Sequence, residues 1–243
     1  MHRFYIDSSA EGCDEITITG DDVVHITRVL RLGEGDEIIV CDSEGYDCLC
    51  KVVRTCKDEV TAKVQSREKN NAEANIDITV YQGVPKGDKL DTVVQKCVEL
   101  GAVRIVPVAM KRCVAVIKDP AKKAQRLQKI AHEAAKQCGR ARVPRVDCVM
   151  SFADALSEAS GADLRLLPYE AEKMSSIKNV LRQSNDVKNI SIFIGPEGGF
   201  DPSEVELAKD RGFSVVSMGP RILRTETAPL AAITAVMYEL GDW

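Results

Sequence analysis

The chain predicts an α/β fold in two parts: a small all-β module over residues 1–70 and a larger domain over residues 75–243. The larger part should hold a mainly parallel sheet with helices on its faces. Three observations carry this. Up to residue 66 the apolar residues fall in short, partly alternating runs separated by turn residues. After residue 75 strand-like runs alternate with segments of helical periodicity, the pattern of a parallel sheet with crossover helices. Two glycine-bearing loops, GPEGGF and GPRILRTETA, follow such strand runs directly.

In chain order, HRFYI, EITIT, DEIIVCD, YDCLCKVV and EVTAKVQS are strands, parted by turns such as GEGDE and SEGY. DDVVHITRVLR (21–31) breaks the run. Val23, Val24, Ile26, Val29 and Leu30 have helical spacing behind capping aspartates, so a small barrel with one inserted helix is expected. REKNNAEAN (67–75) is polar and reads as a linker. IDITVYQGV is a strand, DKLDTVVQKCVELG a helix ended by Gly101, and RIVPVAM a strand. PAKKAQRLQKIAHEAAKQCGR is a long basic helix with Pro120 near its first turn. PRVDCVM, FADALSEAS and ADLRLLPYE follow as strand, helix and strand. NISIFIG, SEVELAKDRG, FSVVSMG and APLAAITAVMYELG complete the alternation.

Composition excludes several classes. At 44% hydrophobic and 29% charged the chain is globular, with no apolar run of membrane-spanning length. MHRFYIDSSAEG lacks the apolar stretch of a signal peptide, so a cytoplasmic location is expected. Nine cysteines without a CxxC pair, and only three histidines, offer no zinc framework, so no metal is expected. Cys48 and Cys50, two apart on one strand, should point to the same buried face. The net charge is −4, yet residues 111–145 hold 11 basic and 2 acidic side chains, a local +9. Such a segment suits phosphate contacts, or it is a solvated lysine-rich helix face.

Ligands of parallel sheets bind beyond the carboxyl ends of strands. The loops to watch therefore follow ADLRLLPYE, NISIFIG and FSVVSMG. The second, GPEGGF (195–200), opens a helix with Asp201 as N-cap, Pro202 at N1 and Glu204 completing a capping box. Its glycines permit close backbone approach, but there is no GxGxxG fingerprint and no Walker lysine. A phosphate would meet Glu197, Asp201 and Glu204, so the ligand should be neutral or positive there. A ligand-free β-to-α turn reads equally from those glycines alone. In the third loop Ile222 and Leu223 lie between Arg221 and Arg224. They suit a pocket lining, with the arginines turned to an anion or paired with Glu226 or Glu197.

Together IGPEGGF, MGPRILRTETA, LPYE and KQCGR (136–140) resemble the ribosomal RNA small subunit methyltransferase E family, S-adenosylmethionine-dependent RNA methyltransferases of the SPOUT class. The similarity covers the whole chain; HRFYI and HITRVLRLGEGDEI resemble the family's PUA-like barrel. Cys138 departs from the serine expected in a QSGR motif. The resemblance implies a C-terminal trefoil-knotted SPOUT domain, a PUA-like RNA-binding barrel and a homodimer. It implies a donor held in the knot by three loops: Leu167, Pro168, Tyr169 and Glu170; Ile194, Gly195, Glu197, Gly198 and Gly199; Met218, Gly219, Ile222, Leu223, Arg224 and Thr225. The expected product is N3-methyluridine near the decoding region of 16S ribosomal RNA in the small subunit. S-adenosylmethionine carries a sulfonium and an ammonium but no phosphate, which suits the acidic glycine loop.

Uridine N3 carries a proton at neutral pH, so a base and an anion-stabilising cation are needed. Arg224, or Arg140 from a partner subunit, is the candidate cation; Glu226 and Glu197 are the candidate bases. Arg3, Arg28, Arg31, Arg112, Arg140 and Arg142 are the candidate RNA contacts. Two other readings remain: a SPOUT methyltransferase acting on another RNA, and a non-catalytic RNA-binding assembly factor. A phosphate-binding α/β enzyme is disfavoured by the acidic loop.

Overall fold

The structure, a computed structural model, describes residues 1–243. The chain divides into two compact units: Met1–Glu73 with Ala135–Arg142, and Ala74–Ala134 with Val143–Trp243. The first unit therefore takes in a short segment from far along the chain.

The first unit is a five-stranded curled sheet of β1 (Arg3–Tyr5), β2 (Glu15–Thr19), β3 (Glu37–Cys41), β4 (Tyr46–Thr55) and β5 (Glu59–Lys69), in the order β1-β3-β4-β5-β2. β1 runs parallel to β3; the other pairs are antiparallel. Strand alternation sets the inner face: Ile16 and Ile18, Ile38 and Val40, and Cys48 and Cys50 are buried with Phe4, Val23 and Ile26. Residues 21–31 do not form one regular helix. A single α turn, α1 (Asp21–Val24), passes into a π turn at His25–Val29. The Thr27 hydroxyl donates back to Val23 O at 2.7 Å, Leu30 N reaches back five residues to His25 O, and Arg31 adopts φ 55°. Such back-bonding competes with the regular ladder, and the left-handed residue ends it. β5 continues through Lys69, so the connecting segment is shorter than 67–75.

The second unit is a seven-stranded parallel sheet. Its elements are β6 (Asp77–Gly83), α2 (Lys89–Glu99), β7 (Arg104–Ala109), α3 (Pro120–Cys138, whose last turn belongs to the first unit), β8 (Arg145–Val146), β9 (Met150–Ser151) and α4 (Phe152–Ala159). There follow β10 (Leu164–Pro168), α5 (Ile177–Gln183), β11 (Asn189–Ile194), α6 (Pro202–Asp210), β12 (Ser214–Val216) and α7 (Ala228–Leu240). The order is β12-β10-β11-β6-β7-β8, with β9 also on β7. PRVDCVM is thus two short pairings on β7 rather than one strand. The helix α5, capped by the Ser176 side chain, lies in a stretch with no strong sequence periodicity. An aromatic cluster fills one side of the sheet, with Tyr81 stacked on Phe193 at 4.4 Å and Phe213 edge-on to Phe193 at 5.0 Å.

The strand order positions the site. From β6 the chain winds outward through β7 and β8; on the other side the sheet runs β11, β10, β12. β6 and β11 are adjacent, so the winding reverses between them, and the carboxyl ends of β10, β11 and β12 open on one edge beside that reversal.

Candidate functional site

GPEGGF follows β11 and is shaped by its glycines. Gly199 N–H closes a turn on Pro196 O at 2.9 Å with φ 66° at Gly199. A Cβ at Gly199 would lie 2.7 Å from Glu170 Oε1, so only glycine lets the two loops meet. Behind it, a Cβ on Gly83 at the end of β6 would lie 2.7 Å from the Pro196 backbone nitrogen. The capping box at Asp201 and Glu204 is formed, and Arg112 donates to Gly198 O at 3.1 Å.

GPRILRTETA follows β12 and is pinned to that loop by Thr225. The buried Thr225 hydroxyl donates to Gly195 O at 2.7 Å and accepts from Gln82 Nε2 at 2.9 Å. Gln82 is fully buried and its Oε1 has no partner. The third loop is tied in by Tyr169 N–H to Val216 O at 2.9 Å and Ser217 N–H to Ser175 O at 2.7 Å.

The three loops enclose a cavity of about 550 Å³. Pro168, Tyr169, Glu170, Ile194, Gly195, Glu197, Gly198, Gly199, Met218, Gly219, Ile222, Leu223, Arg224, Thr225 and Glu226 all line it. Leu167 does not: it is fully buried in the core, because alternation on β10 turns it away from the loop. Lining residues that sequence reasoning passed over are Lys89, Pro196, Phe200, Ser217 and Ala228; Arg221 was singled out only as an alternative cation.

Lys89, at the start of α2, organises the charges. Its Nζ donates to Glu197 Oε1 at 2.9 Å and lies 3.5 Å from Glu226 Oε2. Burial pushes the Glu197 carboxyl up, but hydrogen bonds from Lys89 and the Lys86 backbone amide outweigh it and hold it below the usual carboxylate range. The Lys89 ammonium is raised by its bond to Glu197. Glu226 differs: its Oε2 is buried and accepts no hydrogen bond. Arg224 Nη1 is 4.0 Å from Glu226 Oε1, with the guanidinium 84% exposed. The cavity therefore offers a glycine-walled apolar slot, one under-bonded carboxylate and one mobile cation.

The other expected residues lie elsewhere. Arg140 is 2% exposed, bonded to Glu73 at 2.8 Å within the first unit, so its guanidinium is committed to that carboxylate. Arg3 grips Asp47 with two bonds of 2.6 and 2.7 Å. Arg28, Arg31, Arg112 and Arg142 are exposed; Arg142 donates to Glu44 O.

Comparisons with known proteins agree with this geometry. Residues 72–237 match the family model described as an RNA methyltransferase domain, and residues 18–75 match the RNA methyltransferase PUA domain. A ribosomal RNA small subunit methyltransferase E of Bacillus subtilis is 37% identical over 98% of this chain and 97% of its own. One from Synechocystis is 32% identical over 91% of this chain and 72% of its own. The solved structure of the Neisseria gonorrhoeae enzyme of that name, bound to S-adenosyl methionine, is 31% identical, covers 100% of this chain and 99% of that one, and superimposes with a TM-score of 0.87. With a PUA-domain sheet, a SPOUT-type parallel domain and a loop-walled cavity at the strand reversal, this chain belongs to the ribosomal RNA small subunit methyltransferase E family.

Proposed function

We propose that the protein uses S-adenosylmethionine to methylate N3 of one uridine in 16S ribosomal RNA of the small subunit, near the decoding region. The observation that carries this is the cavity at the strand reversal, where an under-bonded carboxylate and an exposed guanidinium flank a glycine-walled apolar slot. The fit to the donor rests on its walls. A Cβ on Gly199 would fill the slot, Ile194, Leu223 and Met218 give it an apolar face for adenine, and Glu170 and Glu197 suit positive charge. Backbone groups of Gly195, Met218 and Leu223 can read the adenine edge. The donor supplies a methyl group on a positively charged sulfur.

The chain's own residues then do three things. The loops hold donor and base in line, which is the main requirement of a displacement. Glu226 Oε2 takes the N3 proton of uracil. Arg224 faces the anion that develops on O2, N3 and O4 and stabilises it as an oxyanion donor would. Glu197, already bonded twice, is a wall residue and holds Lys89 in place. The target uridine is splayed out of its stack to reach the slot. Arg112, Arg142, Arg28 and Arg31 are proposed phosphate contacts; Arg140 and Arg3 serve their own unit through Glu73 and Asp47. A homodimer fits the exposed Met174, Ile222 and Tyr238, large apolar residues of the second unit at 93%, 83% and 74% exposure.

Mass mapping of 16S ribosomal RNA from cells lacking the gene tests the reading. The expected result is loss of one N3-methyluridine, restored when purified protein and S-adenosylmethionine are added to the undermethylated small subunits. An unchanged modification map, or a lost methyl at a ribose or on another RNA, overturns it.

A further inference from the structure

A second cavity, of about 360 Å³, lies on the other side of the loop that joins β6 to α2. Adjacent residues face the two spaces: Lys89 lines the donor cavity and Leu90 the second. That loop is clamped to GPEGGF, through Lys86 N–H on Glu197 Oε1 at 3.1 Å and the contact of Gly83 with Pro196. One wall thus serves both cavities.

The second cavity has an apolar floor and a cationic rim. Val84, Pro85, Leu90 and Ile117 make the floor, and Val116 beside it is 85% exposed. Lys118 and Lys122 stand on the rim with both chains exposed. Lys123 and Arg126 are also on the rim, but Asp91 takes both, at 3.4 and 2.6 Å. The one acidic lining residue, Asp119, caps α3 by accepting the Lys122 backbone N–H at 3.0 Å. The rim therefore keeps a net positive charge, over apolar surface that is flat enough for a ring and too open for a core.

We infer that this cavity is a second nucleotide subsite, which takes a single-stranded nucleotide flanking the methylated base, with its ring on the apolar floor and its phosphate on Lys118 and Lys122. The inference rests on the RNA methyltransferase reading and deepens it. Single-stranded RNA is bound by this pairing of an apolar platform and a cationic track. Charge complementarity favours a polyanion here over a second copy of the chain, whose surface would have to bury the lysine rim unpaired. A uridine pulled from its stack needs its neighbours held apart, and a subsite one loop away does that without touching the reacting base.

The test compares the full-length double variant K118E/K122E with a charge-matched control, K178E/K188E, whose lysines are exposed on the same unit outside both cavities. Methyl transfer to undermethylated small subunits and salt-dependent binding to a single-stranded 16S fragment spanning the target are both measured. For K118E/K122E, KM for small subunits should rise about tenfold or more, and the log–log salt slope of binding should fall by about 2, one per phosphate contact removed. Its kcat and its S-adenosylmethionine affinity should stay within about twofold of wild type, and the control should move each quantity far less. Equal effects in the two variants overturn the subsite. So does a change of oligomeric mass in K118E/K122E alone, which would assign the surface to a second copy. If wild type transfers no methyl group, the function reading fails; the salt slopes still decide whether RNA occupies this cavity.

Discussion

Glu226 and Glu197 share one lysine, and the sharing is unequal. Glu197 holds Lys89 at 2.9 Å and a backbone amide at 3.1 Å, and both bonds favour its charged form. A carboxylate so bonded is a poor base, because taking a proton breaks two hydrogen bonds. Glu226 Oε2 has only the lysine charge at 3.5 Å and no hydrogen bond, so a donor arriving from the cavity completes it. E226Q should lower kcat by about 10² or more with S-adenosylmethionine affinity nearly unchanged, the size expected for a lost general base. E197Q should act mainly on affinity. Steady-state kinetics with calorimetric donor titration separates the two, and a larger kcat loss in E197Q would reverse the assignment. R224A should lose about 10²–10³ in kcat with donor binding within a few-fold, since the exposed guanidinium supports no packing. Near-normal turnover by R224A would remove it from the mechanism.

Strands carry their logic in a period of two, and β4 gives a clear case. Cys48 and Cys50 both face the core with no exposed surface. Burial pushes their thiols up, to about 11 for Cys48 and about 12 for Cys50, against an ordinary thiol near 8.5. A raised folded value favours the protonated fold. That stability is fully present below the unfolded value and is lost as pH rises through the folded ones. The first unit should therefore weaken between roughly pH 9 and 12, and C48A/C50A should flatten that stretch of its stability–pH curve in urea melts. The same periodicity made these strands readable in advance, as Asp201 and Glu204 did the start of α6. What could not be read depends on distance along the chain or on weak local signals. β1 pairs parallel with β3, a choice made by the whole sheet rather than by HRFYI. Lys89 meets Glu197 across 108 residues, and nothing near Lys89 marks it. Leu167 shows the converse: the loop was placed correctly, but the phase of β10 turns this residue into the core.

At the scale of the molecule, a segment of eight residues far along the chain belongs to the first unit, and polar groups explain why it must. Asn70 Nδ2 donates to Gly139 O at 3.0 Å, Tyr5 OH donates to Arg140 O at 2.8 Å, and Lys136 meets Asp22 at 2.9 Å. Arg140 and Glu73 form the innermost pair, with side chains 2% and 13% exposed, and Glu73 Oε1 also accepts the Arg142 backbone N–H at 2.8 Å. Glu73 thus ties both sides of this segment down. A charge pair so buried is costly to break from one side only, because the surviving charge stays desolvated. R140M should destabilise the first unit by about 3–5 kcal/mol, while R140M/E73Q should recover much of that loss because no charge is left unpaired. Urea melts followed by far-UV circular dichroism, run as a double-mutant cycle with E73Q, measure the coupling. A residue needed at the RNA instead predicts the opposite pattern: R140M would leave the melts near wild type and raise KM for small subunits, and the second mutation would rescue nothing. Expected here is a stability loss with strong coupling, and in R140M/E73Q a KM close to that of wild type.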